Sequence, residues 1–258
     1  MNYATQLHII FRMSEVLNLF LLALLGSIVA LFGGVIFLYY PRLSGVLQKH
    51  SVPFAAGVLI TVALLVLIPE SVHEVGEASF LVVLASFFGA YLFENFFVHI
   101  HHHDSDHGVK KSQIALVIVG DTIHNFIDGI AIAVSFFVNP GLGFITALST
   151  FLHEIPHEIS DFGILLNTGW KRGKILLVNI FSASFTIVGA FATYYISHND
   201  TFVGVMLAIS AGIFLYLGAI DFLPNIGRGY NKKTVAIIPL VLGVSIMLAT
   251  VLLIPHAE

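Results

Sequence analysis

The chain contains no cysteine. Disulfides and thiolate metal sites are excluded, and Cu(I), which favours sulfur ligands, is disfavoured as the main metal handled. Charge is scarce as well. Asp, Glu, Lys and Arg make up 10% of the residues, against about 25% in soluble domains. The net charge of −4 provides no basic footprint for nucleic acid. A cleavable leader is not evident either. The first long apolar run, Val16 to Tyr40, has no small-residue cleavage site behind it and reads as a membrane helix.

What remains is mostly hydrophobic. Apolar and aromatic residues make up 57% of the 258 positions, and the mean hydropathy is +0.95. A helix needs about 20 apolar residues to cross the hydrocarbon core. Eight segments meet that length, at roughly 16–39, 53–73, 79–99, 114–138, 142–167, 174–197, 202–221 and 234–254. Short polar or Pro/Gly stretches such as "YYPRLSG", "FVNPGLG" and "TGWKRGK" separate them. The expected fold is an all-α polytopic membrane protein, a bundle of eight transmembrane helices forming one domain over 1–258. No short-period repeat stands out.

Basic residues set the expected orientation. Arg42 and Lys49 fall in the first loop, Lys110 and Lys111 in the third, Lys171, Arg172 and Lys174 near the fifth, and Arg228, Lys232 and Lys233 in the seventh. The second, fourth and sixth loops have neither Lys nor Arg. Cytoplasmic loops collect these residues, so the odd loops should face the cytoplasm and both termini the extracellular or periplasmic side. Only Arg12 runs against this pattern. The compact chain suggests a plasma (inner) membrane. Tyr39 and Tyr40 suit an interfacial aromatic belt.

Against this apolar background the 13 histidines and the buried acids stand out. The fourth segment places Asp121, His124, Asn125 and Asp128 at i, i+3, i+4 and i+7, along one helical face. The fifth places His153 and His157, and Glu154 and Glu158, at i, i+4, with Asp161 three further on. Pro156 sits among them and deprives the carbonyl near Leu152 of its helical partner. Polar helix glue is normally Ser, Thr or Asn, rather than paired acids and histidines. No Lys or Arg lies in either segment to neutralise the acids, so a divalent cation or protons must do so. Imidazole with carboxylate suits Zn²⁺ first, with Fe²⁺, Mn²⁺ or Cd²⁺ as related cargo.

"HNFIDG" at 124–129 and "HEIPHEISDFGILL" at 153–166, on successive spans, resemble the ZIP (Zrt-, Irt-like) divalent-metal transporters, and in particular their LIV-1 branch. The resemblance covers the whole eight-span layout. It implies metal ligands at His124, Asn125, Asp128, His153, Glu154 and His157. His124, Asp128, His153 and His157 would form the primary site, with Asn125 and Glu154 bordering it or building a second. Some relatives hold two metals with an acidic residue on the sixth span. Here "VNIFSASFTIVGAF" has none, so a site of that pattern is not expected. The resemblance further implies uptake of divalent metal into the cytoplasm, extracellular termini, a homodimer, and no catalytic residue or resident cofactor. A His-rich loop at 99–111, "HIHHHDSDHG", falls on the cytoplasmic side, where it can catch or sense metal or simply be solvated.

Two other readings compete. "HEIPH" also fits the H-E-x-x-H of a zinc metalloprotease, with His153 and His157 on the metal and Glu154 as general base. Pro156 between the histidines, and the surplus ligands of the fourth span, weigh against it. A metal-sensing receptor without flux is the third. Glu70, His73 and Glu74 either line a cation entrance or form an ordinary helix end. Glu94 and Asn95 lie near the inner end of the third span, beside an exit path or the interface, and Asp221, at the inner end of the seventh, either caps a helix end or touches the released ion. His198 and Asp200 are expected in a solvated outer loop.

Overall fold

Apolar segments in lipid must satisfy their backbone N–H and C=O groups internally. Every regular element among the described residues is accordingly helical. The computed structural model describes residues 3–99, 111–196, 199–225 and 233–255. In order these form α1 (Tyr3–Gly26), α2 (Leu31–Tyr39), α3 (Pro41–Val62), α4 (Ile68–Val75), α5 (Ala78–His99), α6 (Lys111–Val138), α7 (Pro140–Asn167), α8 (Arg172–Ile196), α9 (Asp200–Tyr216) and α10 (Lys233–Leu253).

Two local departures from the expected layout have physical causes. The first apolar run is two helices, because Gly26 and Ser27 open a turn in which Ser27 Oγ donates to Ala23 O at 2.6 Å. The stretch 40–52, expected as a loop, is instead helical from Pro41 onward. Proline at the first helical position lacks only an N–H that would have had no helical partner. From there α3 continues through a π-helical turn, Ala63–Leu67, into α4, which ends at Gly76 with φ +69°. A second π-helical turn, Leu217–Phe222, extends α9. Each π turn ends two residues before a proline, Pro69 or Pro224.

Among the described residues, seven helical stretches are long and apolar enough to cross a membrane: Met13–Tyr39, Lys49–Val75, Ala78–Asn95, Val117–Val138, Arg172–Ile196, Asp200–Phe222 and Ala236–Leu253. The fifth expected span, α7, is 28 residues long but too polar to join them. It lies against α1, α2, α3 and α6. Large apolar side chains such as Leu81, Leu177 and Leu253 are exposed on the outer helices. That polarity gradient, apolar outside and polar at the centre, is the one a lipid solvent requires. The chain is an integral membrane protein.

Helix pairs close through reciprocal glycines. Gly129 of α6 meets the Thr186 carbonyl of α8, while Gly189 of α8 meets the Phe126 carbonyl of α6. Gly57 of α3 and Gly243 of α10 make the same exchange with Leu240 and Phe54. Membrane helices lack a hydrophobic drive to associate and gain instead from such close backbone approach. The apolar cores lie between α3, α9 and α10, between α1, α6 and α8, and between α2, α7 and α8.

Candidate metal site

A single residue, Asn139, separates α6 from α7. Its Oδ1 accepts from Gly141 N at 2.7 Å and caps α7, with Pro140 in the first turn. Thr146 Oγ1 donates to Ser135 Oγ across the pair at 2.9 Å. Residues equidistant from such a tight antiparallel connection fall side by side. His124 lies fifteen residues before Asn139 and Glu154 fifteen after, and His124 Nε2 is 3.1 Å from Glu154 Oε1.

Around that contact the ligand-type atoms converge. His153 Nε2 lies 3.1 Å from Asp128 Oδ2 and 3.3 Å from His124 Nε2. His124 Nε2 is 3.7 Å from Asp128 Oδ2. His124, Asp128, His153 and Glu154 each present an atom within 4.8 Å of the others. Donors bonded to one tetrahedral Zn²⁺ at typical lengths sit about 3.3 Å apart, close to these separations. Asp128, His153 and Glu154 are buried. His153 Nδ1 lies 2.9 Å from the Ser149 carbonyl. A carbonyl can only accept, so Nδ1 donates to it, and Nε2 is the ring nitrogen that faces the cluster; metal-binding histidines are commonly held in this way through their other nitrogen.

The other two candidates are placed differently. The His157 ring lies 4.5 Å from that of His124, centroid to centroid, and packs on Phe222 at 5.1 Å. Its Nε2 is buried without a hydrogen-bond partner among the described residues. It borders the four-residue group. Asn125 turns toward α8, where its Oδ1 accepts from Thr186 Oγ1 at 2.9 Å and its Nδ2 donates to Asp121 Oδ1 at 2.9 Å. Phe214 packs on His153 at 5.4 Å. The aromatic wall from α9 and its π turn has no local sequence signal, because it comes from a distant element.

Beyond the histidines, a cavity of about 960 Å³ between α5, α6, α7 and α9 is lined by His124, His157, Asp121, Asp161, Glu94 and Asp221, among others. Tyr216 donates to Glu94 at its far end. Glu70, His73 and Glu74 also come within 4.8 Å of one another on α4, with His73 Nδ1 3.7 Å from Glu74 Oε1. Asp200 opens α9 beside Asn199, whose side chain caps the helix by accepting from Phe202 N. Of the His-rich loop, His99 ends α5 and 100–110 lie outside the described residues, as does His198 of the outer loop.

Residues 101–250 match the family model for the ZIP zinc transporter. Among curated relatives, Zinc transporter ZIP10 of Danio rerio is 37% identical over 137 residues, covering 50% of this chain and 16% of the relative. Zinc transporter foi of Drosophila melanogaster is 32% identical over 136 residues, covering 52% of this chain and 19% of the relative. Zinc transporter ZIP4 of Mus musculus is 36% identical over 109 residues, covering 42% and 16% respectively. The chain thus spans less than a fifth of the length of each of these relatives. With more than half of its 258 residues under the family match, and the two motifs on adjoining helices, the chain belongs to the ZIP zinc transporter family, in its LIV-1 branch.

Proposed function

We propose that the chain carries divalent metal, Zn²⁺ first, across the membrane into the cytoplasm through a site on α6 and α7. The observation that carries this reading is the group of half-buried His124 with buried Asp128, His153 and Glu154, set in a stretch without Lys or Arg from 112 to 170. Buried acids without a basic partner are costly, and a passing cation offsets that cost while it is bound. Relatives named as zinc transporters support the choice of metal. His157 and Asn125 complete the proposed ligand set of six, His157 from the rim and Asn125 after releasing Thr186. Mixed imidazole and carboxylate ligands favour exchange over storage, since a conducted ion must leave as well as enter.

Metal here is cargo, and neither a cofactor nor a catalytic residue belongs to the reading. The chain is proposed to act as a homodimer in the plasma (inner) membrane, with both termini outside, on the strength of the family and of the Lys/Arg distribution. The loop 99–111 is proposed to meet the metal on the cytoplasmic side. The protease alternative gains nothing from the geometry. A catalytic zinc keeps three protein ligands and an open position, whereas Glu154, the required base, lies within the ligand group itself.

Purified protein in sealed vesicles tests the proposal. Zn²⁺ should enter down its gradient, and His124→Ala and His157→Ala should each abolish entry while the protein still reaches the membrane. Normal influx in both variants would sink the site. Peptide cleavage that disappears in Glu154→Gln, with zinc retained, would favour the protease instead.

A further inference from the structure

We propose that Asp121, Glu154 and Glu158 form a second, all-oxygen cation site, which shares Glu154 with the histidine site. Each of the three presents a carboxylate oxygen within 4.8 Å of the others. Asp121 comes from α6 and the two glutamates from α7, so the grouping is tertiary and not an accident of one helical face. Glu154 and Glu158 are 1% and 2% exposed. Both oxygens of Glu158 are buried without a hydrogen-bond partner among the described residues. Asp121 is satisfied by a neutral group, the Asn125 amide, and no Lys or Arg occurs between 112 and 170. Three acids this close, with one aimed unpaired into the group, need protons or a cation to offset their charge, and the proposal is the cation.

The donor set identifies the kind of cation. Oxygen-only sites suit hard ions such as Mn²⁺, Mg²⁺ or Ca²⁺ and hold Zn²⁺ less tightly than a set with two imidazoles. It shares only Glu154 with the second site implied by the family resemblance, which would be built on Asn125 and Glu154 and in some relatives adds an acid on the sixth span. Here α8 offers hydroxyls, Ser182 to Thr122 at 3.0 Å and Thr186 to Asn125.

Its place gives it a role, and for that role the proposal rests on the transport reading. Asp121 precedes His124 by three residues and Glu158 follows His153 by five, so these two carboxylates lie about one turn, roughly 5.4 Å, along the helices from His124 and His153. Both displacements point to the end where α6 begins and α7 finishes, the end that the basic residues assign to the cytoplasm. Asp121 also lines the cavity that reaches Glu94 and Asp221. An ion leaving the histidines would exchange nitrogen for oxygen ligands while keeping hold of Glu154. The weaker site would then be the one from which it is released.

The test uses the full chain in detergent with ¹¹³Cd²⁺ as probe, reading stoichiometry by equilibrium binding and ligand type by cadmium NMR. Two bound ions per chain are expected, one resonance at a nitrogen-ligated shift and one at an all-oxygen shift. Glu158→Gln should remove the all-oxygen resonance, lower the stoichiometry from two to one and leave the other resonance in place. Asp121→Asn should do the same and serves if Glu158→Gln does not fold. His153→Ala should show the reverse pattern. One ion per wild-type chain, or two ions retained in both carboxylate variants, would overturn the second site. Two bound ions without zinc flux in vesicles would sink the transport reading and leave the second site standing. Flux with a single bound ion would do the opposite.

Discussion

Asn125 differs from the other five candidate ligands in that both ends of its amide are already engaged, one by Asp121 and one by Thr186. Removing one partner of a buried hydrogen bond costs about 1–3 kcal/mol. Asn125→Ala and Thr186→Val should therefore destabilise the protein to a similar degree, measured by thermal unfolding in detergent. Zinc affinity by equilibrium binding should fall far less in Thr186→Val than in His124→Ala. An equal loss in these two variants would mean that the α8 hydroxyl, and with it the amide, governs the site directly. Asp128 should behave like His124. Its carboxylate makes no other hydrogen bond among the described residues, so Asp128→Asn keeps the shape, loses the charge and should weaken zinc binding by at least about tenfold, a lower bound drawn from losses at outer-shell residues.

At the scale of elements, the pairing of α6 with α8 depends on two glycines that face each other's backbone. A side chain at either position must push the helices apart. Overpacking of this kind costs about 1–3 kcal/mol or more. Gly189→Val should lower the unfolding temperature and, by moving Thr186, loosen Asn125. The same change at Gly173, where a Cβ would meet nothing within 4 Å, should be silent. Pro156 leaves α7 continuous from Pro140 to Asn167, but it provides no N–H for the carbonyl four residues back. Pro156→Ala restores that bond. Stability should hold or rise while vesicle influx falls, and unchanged influx would count against any use of the freed carbonyl.

For the molecule as a whole, the missing cysteines become useful. A single introduced cysteine has no background, so an impermeant maleimide applied to intact cells reports the side on which it lies. Glu77→Cys, in the turn after α4, should label from outside, and Lys171→Cys, at the start of α8, only after the membrane is opened. The reverse result would invert the proposed direction of transport. Near Lys171 the basic groups meet aromatic rings, with Lys174 Nζ 3.5 Å from the Trp170 ring centroid and the Arg172 guanidinium 5.6 Å from that of Tyr39. That is the composition of a membrane interface.

Hydropathy alone was enough to identify a helical membrane protein, because apolar runs in lipid have few other ways to satisfy their backbone. Helical spacing alone put Asp121, His124, Asn125 and Asp128 on one face, and His153, Glu154 and His157 on another. Neither could show which groups meet across the two helices. That depended on the one-residue link at Asn139, which brings His124 against Glu154 and Asp121 near Glu158. Nor could a local pattern reveal that Thr186, sixty-one residues from Asn125, would engage one of the ligand-type side chains. Periodicity describes one helix at a time. The grouping of charges, and therefore any site they form, arises only when neighbouring helices fix a common register.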